Sequence, residues 1–322
     1  MNISHAPADT VSRLRFPRIS VRDAGTLIGM IVIIVVFSLL TPYFLTGRNL
    51  VNVLKESSIN ACIAVGMTMV IISGGIDLSV GSTAALAAVI GASLLKLGIA
   101  APVAMAAMLG VGAAAGCANG VLISGFGLQP FIVTLGTLSL FRALALIYTG
   151  GDPILGMPRD FRVLFTSQIG FVPVPVLLVG VIAAIAWVIL RNTPLGDYLL
   201  AVGGNEEAAR VSGVPINATK ITAYAMNGIV AAVSAMILMA WLGAADPTLG
   251  NLWELQAIAA AAIGGASLMG GKGSIVGTVL GAVILGTVSD GLTLLNVQAF
   301  YQLLATGLII IAAMLIDRAT RS

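Results

Sequence analysis

Charge is scarce in this chain. Only 9% of its 322 residues are Asp, Glu, Lys or Arg, against about 25% in an ordinary soluble domain. Hydrophobic residues make up 58% and the mean hydropathy is +1.06, so the sequence reads as an integral membrane protein and not as a water-soluble globule. Histidine is nearly missing: His5 is the only one, which removes His-based catalysis and any multi-His metal centre. Cysteine is limited to Cys62 and Cys117. Both lie in apolar runs with no His or carboxylate at ligand spacing, so neither a disulfide framework nor a metal site is expected. The net charge of +3, from 16 basic and 13 acidic residues, is too small and too scattered for nucleic-acid binding. No nucleophile–base pair can be assembled, which argues against an enzyme.

What is abundant is long apolar sequence and glycine. Charge-free runs lie at 24–41, 57–76, 78–95, 97–141, 163–190, 221–245, 255–271, 273–289 and 291–316. The run 97–141 is long enough for two helices and divides near Gly125-Phe-Gly-Leu-Gln-Pro130. The expectation is an all-α polytopic protein in the lipid bilayer, with about ten transmembrane helices. Barrel strands are excluded because each run far exceeds about 10 residues and none alternates polar with apolar. Ten crossings put both termini on one side, and the cytoplasm is favoured for that side. It would then hold ten basic residues, including Arg13, Arg15, Arg18 and Arg22, against five opposite (Arg48, Lys55, Lys96, Arg159 and Arg162). Residues 1–22 read as a disordered basic cytoplasmic tail, retained and not cleaved. Residues 23–318 are expected to form a single transmembrane domain. The 38 glycines suit close helix packing in lipid, and Gly112, Gly116 and Gly120, like Gly277 and Gly281, make flat faces for a neighbour.

One long polar interval interrupts the apolar chain. Arg191, Asp197, Glu206, Glu207, Arg210 and Lys220 fall within thirty positions around Thr193–Ile216. Asn205 is placed to cap a short helix whose first turn carries Glu206 and Glu207, and Gly213 with Pro215 ends it. This cytoplasmic interval, 192–219, is either a solvated loop or a contact for something in water.

Two glycine-rich segments break the spans in similar ways: Ser73-Gly-Gly-Ile-Asp-Leu-Ser-Val-Gly81 and Gly264-Gly-Ala-Ser-Leu-Met-Gly-Gly-Lys-Gly273. Broken helices at matching places point to a transport path. That makes Gly74, Gly75, Asp77 and Ser79, with Gly270, Gly271, Lys272 and Gly273, the candidate gating residues; tight hairpins with no ligand role are the alternative. Asp77 serves either as a cap for the next helix, the favoured reading, or as a buried proton or cation carrier. Gly270-Gly-Lys272-Gly-Ser is not a phosphate loop, because Ala266 and Gly273 stand where that motif needs Gly and Ser or Thr. Arg142, deep in its run, is expected to reach toward Asp152 or to line the pathway. The outer loop 150–171 carries Arg159, Asp160 and Arg162, a docking surface for a soluble partner or a plain solvated loop. Polar residues able to meet a neutral polar solute are Asn60, Thr68, Asn119, Gln129, Thr134, Asn227 and Gln256.

Together these segments resemble the permease subunit of bacterial ABC importers for monosaccharides, the ribose-transport permease group. The resemblance runs from Thr41 to Asp317. It is carried by Ala64-Val-Gly-Met-Thr-Met-Val70 with the 73–82 turn, by Tyr148-Thr-Gly-Gly151, by Ala201-Val-Gly-Gly-Asn-Glu-Glu-Ala-Ala-Arg-Val-Ser-Gly213, and by Gly264 to Thr278. The turn at 124–129 departs from it, since relatives often carry basic residues there. The resemblance implies a two-fold pair of permeases, with a second copy or a close relative. It also implies two cytoplasmic ATPase subunits, which bind the ATP, and a periplasmic sugar-binding protein. The permease itself would carry no cofactor and lie in the inner membrane. Gly203, Gly204, Asn205, Glu206, Glu207, Arg210 and Gly213 would then form the coupling element seated on the ATPase, and the chain would work by alternating access. An ion-coupled secondary transporter is the rival expectation.

Overall fold

The computed structural model describes residues 21–319. The tail expected over 1–22 lies outside the described residues, apart from the last two, which open the first helix. Thirteen helices are described: α1 (Val21–Leu40), α2 (Gly47–Ile72), α3 (Val80–Lys96), α4 (Ala101–Ser124), α5 (Pro130–Thr149), α6 (Arg159–Thr166), α7 (Val174–Asn192), α8 (Pro194–Gly204), α9 (Glu206–Val211), α10 (Ile216–Leu242), α11 (Trp253–Ile263), α12 (Ile275–Leu294) and α13 (Ala299–Ala319). Extended structure among the described residues is limited to two antiparallel pairs of two-residue strands, β1 (Ile154–Leu155) with β4 (Ala244–Ala245) and β2 (Gln168–Ile169) with β3 (Val172–Pro173).

Six helices, α2, α4, α5, α7, α10 and α12, are long and apolar enough to cross a membrane. Four shorter apolar helices accompany them: Thr26–Leu40, Val80–Lys96, Trp253–Ile263 and Ala299–Ile309. Two expected spans are corrected. The run 255–271 yields only the 11 residues of α11, about 16 Å of helix, because Gly264 and Gly265 stop it inside a stretch that happens to carry no charge. The run 163–190 is not one helix either. Its start belongs to α6, then Gly170, with a positive φ of 62°, turns the β2–β3 hairpin, and α7 begins only after Pro173. In the other direction, α2 starts at Gly47, taking Arg48, Lys55 and Glu56 into its first turns.

The core is built around α2. Ala61 to Ile72 are all buried, as expected of a helix that is apolar on every side and enclosed by its neighbours. It packs on α7, α10, α11 and α12, and α4 lies along α10 in the most extensive contact of the fold. That contact is backbone on backbone. A Cβ on Gly112 would overlap the Gly228 carbonyl, one on Gly116 the Tyr224 carbonyl, and one on Gly228 the Gly112 carbonyl. The glycine stripe expected to take a close neighbour does so. Gly281 likewise lies against the Ala260 carbonyl of α11. Outside this core, α6 inserts Phe161 and Phe165, both buried, between helices.

Candidate functional site

The polar interval folds as two short helices. Thr193 precedes Pro194, which disfavours the helical region for it. Its φ of −129° and ψ of 153° separate α7 from α8. Asn205, at φ −159°, separates α8 from α9 and accepts the Ala208 N–H on its Oδ1 at 2.9 Å. At the other end the Gly213 and Val214 N–H groups donate to the Arg210 and Ala209 carbonyls, both at 3.0 Å, with Gly213 at φ +81°. This pair of bonds is a Schellman cap. Below α9, Val202, Ala209 and Ile216 are buried together with Val214 packed against them.

Charge then staples the helix down. Glu206 Oε1 lies 3.1 Å from Arg210 Nη2, and Oε2 lies 2.6 Å from Lys220 Nζ near the start of α10. Glu207 Oε2 is 3.8 Å from Arg210 Nε. The Lys220 side chain is only 13% exposed, whereas Glu207 is 82% exposed. Of the two acidic residues, Glu206 therefore holds the fold and Glu207 faces out, beside an equally exposed Val211.

The two glycine-rich breaks, far apart in sequence, meet at the end of α8. The Gly271 N–H donates to the Ile72 carbonyl at 2.9 Å, tying the turn after α11 to the end of α2. Gly203 is wedged between them: a Cβ there would overlap the Ile72 carbonyl and come within 2.6 Å of the Gly271 nitrogen. Gly270, at φ +87°, approaches the Cα atoms of Gly203 and Gly74, each 3.0 Å from where its Cβ would sit. Gly271, at φ +72°, comes within 2.8 Å of the Gly204 Cα in the same sense. A cleft of about 290 Å³ opens beside the junction, lined by Gly203, Gly204, Ser267, Met269, Gly270, Gly271 and Lys272. Lys272 and Met269 are exposed at its rim, while Gly273 is packed on the Ile72 side chain. Gly203 and Gly204 of the coupling candidates thus meet Gly74, Gly270 and Gly271 of the gating candidates.

Asp77 completes the first break and is 2% exposed. Its Oδ1 accepts from the Ser79 N–H at 2.9 Å and the Ser79 hydroxyl at 2.7 Å. Asn227 Nδ2 of α10 donates to Oδ2 at 2.9 Å. Asn119 Nδ2 of α4 donates to Ser79 Oγ at 2.8 Å and approaches Asp77 Oδ1 at 3.4 Å. The adjacent Ile76 carbonyl accepts from Tyr224 and Thr134 hydroxyls, both at 3.2 Å. The expected cap is corrected: the N-cap of α3 is Ser79, with no side-chain cap bond, and Asp77 instead closes the turn just before it and joins that turn to two distant helices. Gly75 lies against the Tyr224 hydroxyl.

These contacts occupy several of the polar residues expected along a path. Asn119, Thr134 and Asn227 surround the 73–79 turn, and Thr68 Oγ1 bonds Thr278 Oγ1 at 2.8 Å as well as the Ala64 carbonyl. Asn60 and Gln256 are half-buried and Gln129 is exposed at the start of α5. A buried pair that the sequence reading missed links Asn49 Nδ2 to Asp290 Oδ2 at 2.8 Å, inside α12.

At the opposite end, Arg142 does not reach toward Asp152. Its Nη1 donates to the Pro247 and Leu249 carbonyls at 2.6 and 2.8 Å and holds the loop before α11. Arg162 Nε donates to the Ala240 carbonyl of α10 at 3.1 Å, and Arg159, Asp160 and Arg162 are all exposed on α6.

Residues 49–314 match the family described as branched-chain amino acid transport system, permease component. The chain is 43% identical over 313 residues to the ribose import permease protein RbsC of Escherichia coli (strain K12), covering 96% of this chain and 98% of that one. It is 40% identical over 296 residues to RbsC of Bacillus subtilis (strain 168), with 91% and 92% covered. To the D-allose transport system permease protein AlsC of Escherichia coli (strain K12) it is 38% identical over 298 residues, with 91% of each covered. No solved structure matches it.

Proposed function

This chain belongs to that permease family, and from this premise we propose that it is the membrane-spanning subunit of an ATP-binding-cassette importer for a monosaccharide, ribose or a related sugar. It is a multi-pass protein of the inner membrane. The family's description speaks of amino acids, but the similar chains named above are permeases for ribose and allose, and the spans offer almost no charge to bind a charged solute. The single observation that carries the mechanism is the glycine junction. The capped helix α9 is not a loose loop; it continues from α8, whose last turn rests directly on the breaks after α2 and α11. A push on α9 from water therefore meets backbone at both breaks.

In this reading separate ATPase subunits bind ATP and grip α9 through Glu207, Arg210 and Val211. Their closure displaces α8 and α9, and the connected spans rock to expose the path on one side at a time. The membrane domain has about ten crossings, with the short α11 and the turn that follows it together making one of them, both termini cytoplasmic, and it pairs with a second copy or close relative. A periplasmic sugar-binding protein delivers substrate at the face carrying Arg159 and Asp160. Asn60 and Gln256, half-buried and with side chains that make no hydrogen bond among the described residues, are the best placed of the polar residues to meet sugar hydroxyls.

The test is reconstitution in proteoliposomes with the ATPase and binding protein encoded beside it. ATP-dependent sugar uptake is expected, and Glu207→Lys should abolish it while the chain still inserts. Sugar accumulation by this chain alone, driven by an ion gradient, would sink the proposal.

A further inference from the structure

The buried carboxylate of Asp77 has no role in that mechanism as stated, yet it is among the most heavily bonded side chains in the fold. We propose that Asp77 is a positioning residue, a clasp that makes the α2–α3 break, α4 and α10 move as one body when α9 is displaced. The inference rests on the importer reading.

The geometry runs in sequence. Displacement arrives by two routes: through Gly203 onto the Ile72 carbonyl, and along the chain from α9 into α10, reinforced by Glu206 and Lys220. The first route ends at a turn of glycines, Gly74 and Gly75, which by itself would flex and absorb the motion. Asp77 removes that freedom. One of its oxygens fixes the turn internally through Ser79, and the other is held by Asn227 on α10. Asn119 on α4 grips the same Ser79 hydroxyl. Just below, Asn227 and Asn119 belong to the α4–α10 pair, whose backbones touch at Gly112, Gly116 and Gly228 and leave little room for independent movement. Tyr224 and Thr134 hold the preceding carbonyl. The two routes are thereby joined at a buried hydrogen-bonded node, where such bonds are electrostatically stronger than in water. α3, which begins at Val80, must follow.

An acceptor is what this clasp needs; a net charge is not. An amide at position 77 can accept from Ser79 and still bond an Asn227 amide turned end for end, so Asp77→Asn should preserve it. Asp77→Leu keeps the branched outline, at a larger volume, and removes every acceptor. The experiment compares these two variants and Asn227→Leu with the native chain in the assembled, reconstituted complex, reading sugar transported per ATP hydrolysed. Hydrolysis is expected to continue in Asp77→Leu while sugar per ATP falls at least about fivefold, the lower end of typical coupling between sites. Asp77→Asn should stay within about twofold of native, and Asn227→Leu should lie between. A native ratio in assembled Asp77→Leu overturns the clasp. So does equal loss in Asn and Leu variants, which marks a proton or cation carrier. If Asp77→Leu does not assemble, Asn227→Leu decides by the same ratio, an unchanged value overturning the proposal. Failure of the native complex to take up sugar with ATP removes the importer reading itself, and is thus told apart from failure of the clasp.

Discussion

Gly203 and Gly204 are neighbours in sequence, and the structure treats them oppositely. A Cβ on Gly203 would run into the Ile72 carbonyl and the Gly271 nitrogen, whereas one on Gly204 meets nothing within 4 Å. Neither glycine has a positive φ, so backbone strain does not enter and the comparison is one of space alone. Relieving the clash at Gly203 requires α8 to withdraw from the end of α2 by about 1 Å. Backbone, unlike a flexible side chain, cannot yield by changing rotamer. Overpacking of this kind costs about 1–3 kcal/mol, and the Gly271-to-Ile72 hydrogen bond beside it, worth about 1 kcal/mol, is pulled out of geometry. Gly203→Ala should therefore lower stability by about 2–4 kcal/mol, while Gly204→Ala should stay within about 0.5 kcal/mol. The assay is thermal unfolding of the purified chain in detergent, followed by sugar uptake per ATP in the reconstituted complex. The Gly203 variant should unfold several degrees lower and couple poorly; the Gly204 variant should match the native chain in both. Indistinguishable melting and coupling in the two alanine variants would show that α8 does not rest on α2, and the junction would lose its role.

Other consequences concern the supports of that junction. Gly228→Ala places a methyl against the Gly112 carbonyl, and should cost about 1–3 kcal/mol, seen as a lower unfolding temperature that Gly136→Ala, at a site with open space, does not reproduce. Lys220→Met removes the partner of Glu206 Oε2; with Glu206 42% exposed, solvent screening limits the loss to about 1 kcal/mol. It should appear as faster amide exchange in α9, without a change in α4. For topology, single cysteines at Val211 and Phe171, exposed by 82% and 92%, in a background lacking Cys117, should react with a membrane-impermeant maleimide from opposite sides. Labelling of both from one side would refute the proposed orientation.

The membrane class and most helices were legible because charge marks where a span meets water, and Asn205 was legible because a cap is a local device. What stayed hidden is equally physical. α11 was overrun because two glycines, not a charge, end it. The partners of Asp77 lie 42 and 150 residues away, and an Asn in an apolar run looks the same whether it meets sugar or a carboxylate. Arg142 was searched for an acidic partner, yet its bonds go to backbone carbonyls, which every residue owns. The junction of Gly74, Gly203 and Gly270 is the hardest case. Glycine has no side chain to declare a preference, so nothing in the sequence shows that Gly74-Gly75, Gly203-Gly204 and Gly270-Gly271 meet.

Their meeting changes what flexibility means here. An isolated glycine turn is soft because φ and ψ are free. When two such turns and the end of a helix are stacked backbone to backbone, each fills the space the others would need to rearrange, and the freedom is lost. A contact made by long side chains would dissipate a small displacement in rotamer changes; carbonyl against Cα transmits it, because close-packed atoms resist compression. The same absence of side chains lets segments slide along one another without repacking, as the α4–α10 pair also permits. The junction is therefore stiff toward a push from α9 and yielding along its own surface, which is the combination a rocking membrane domain requires if work enters at its water-exposed end.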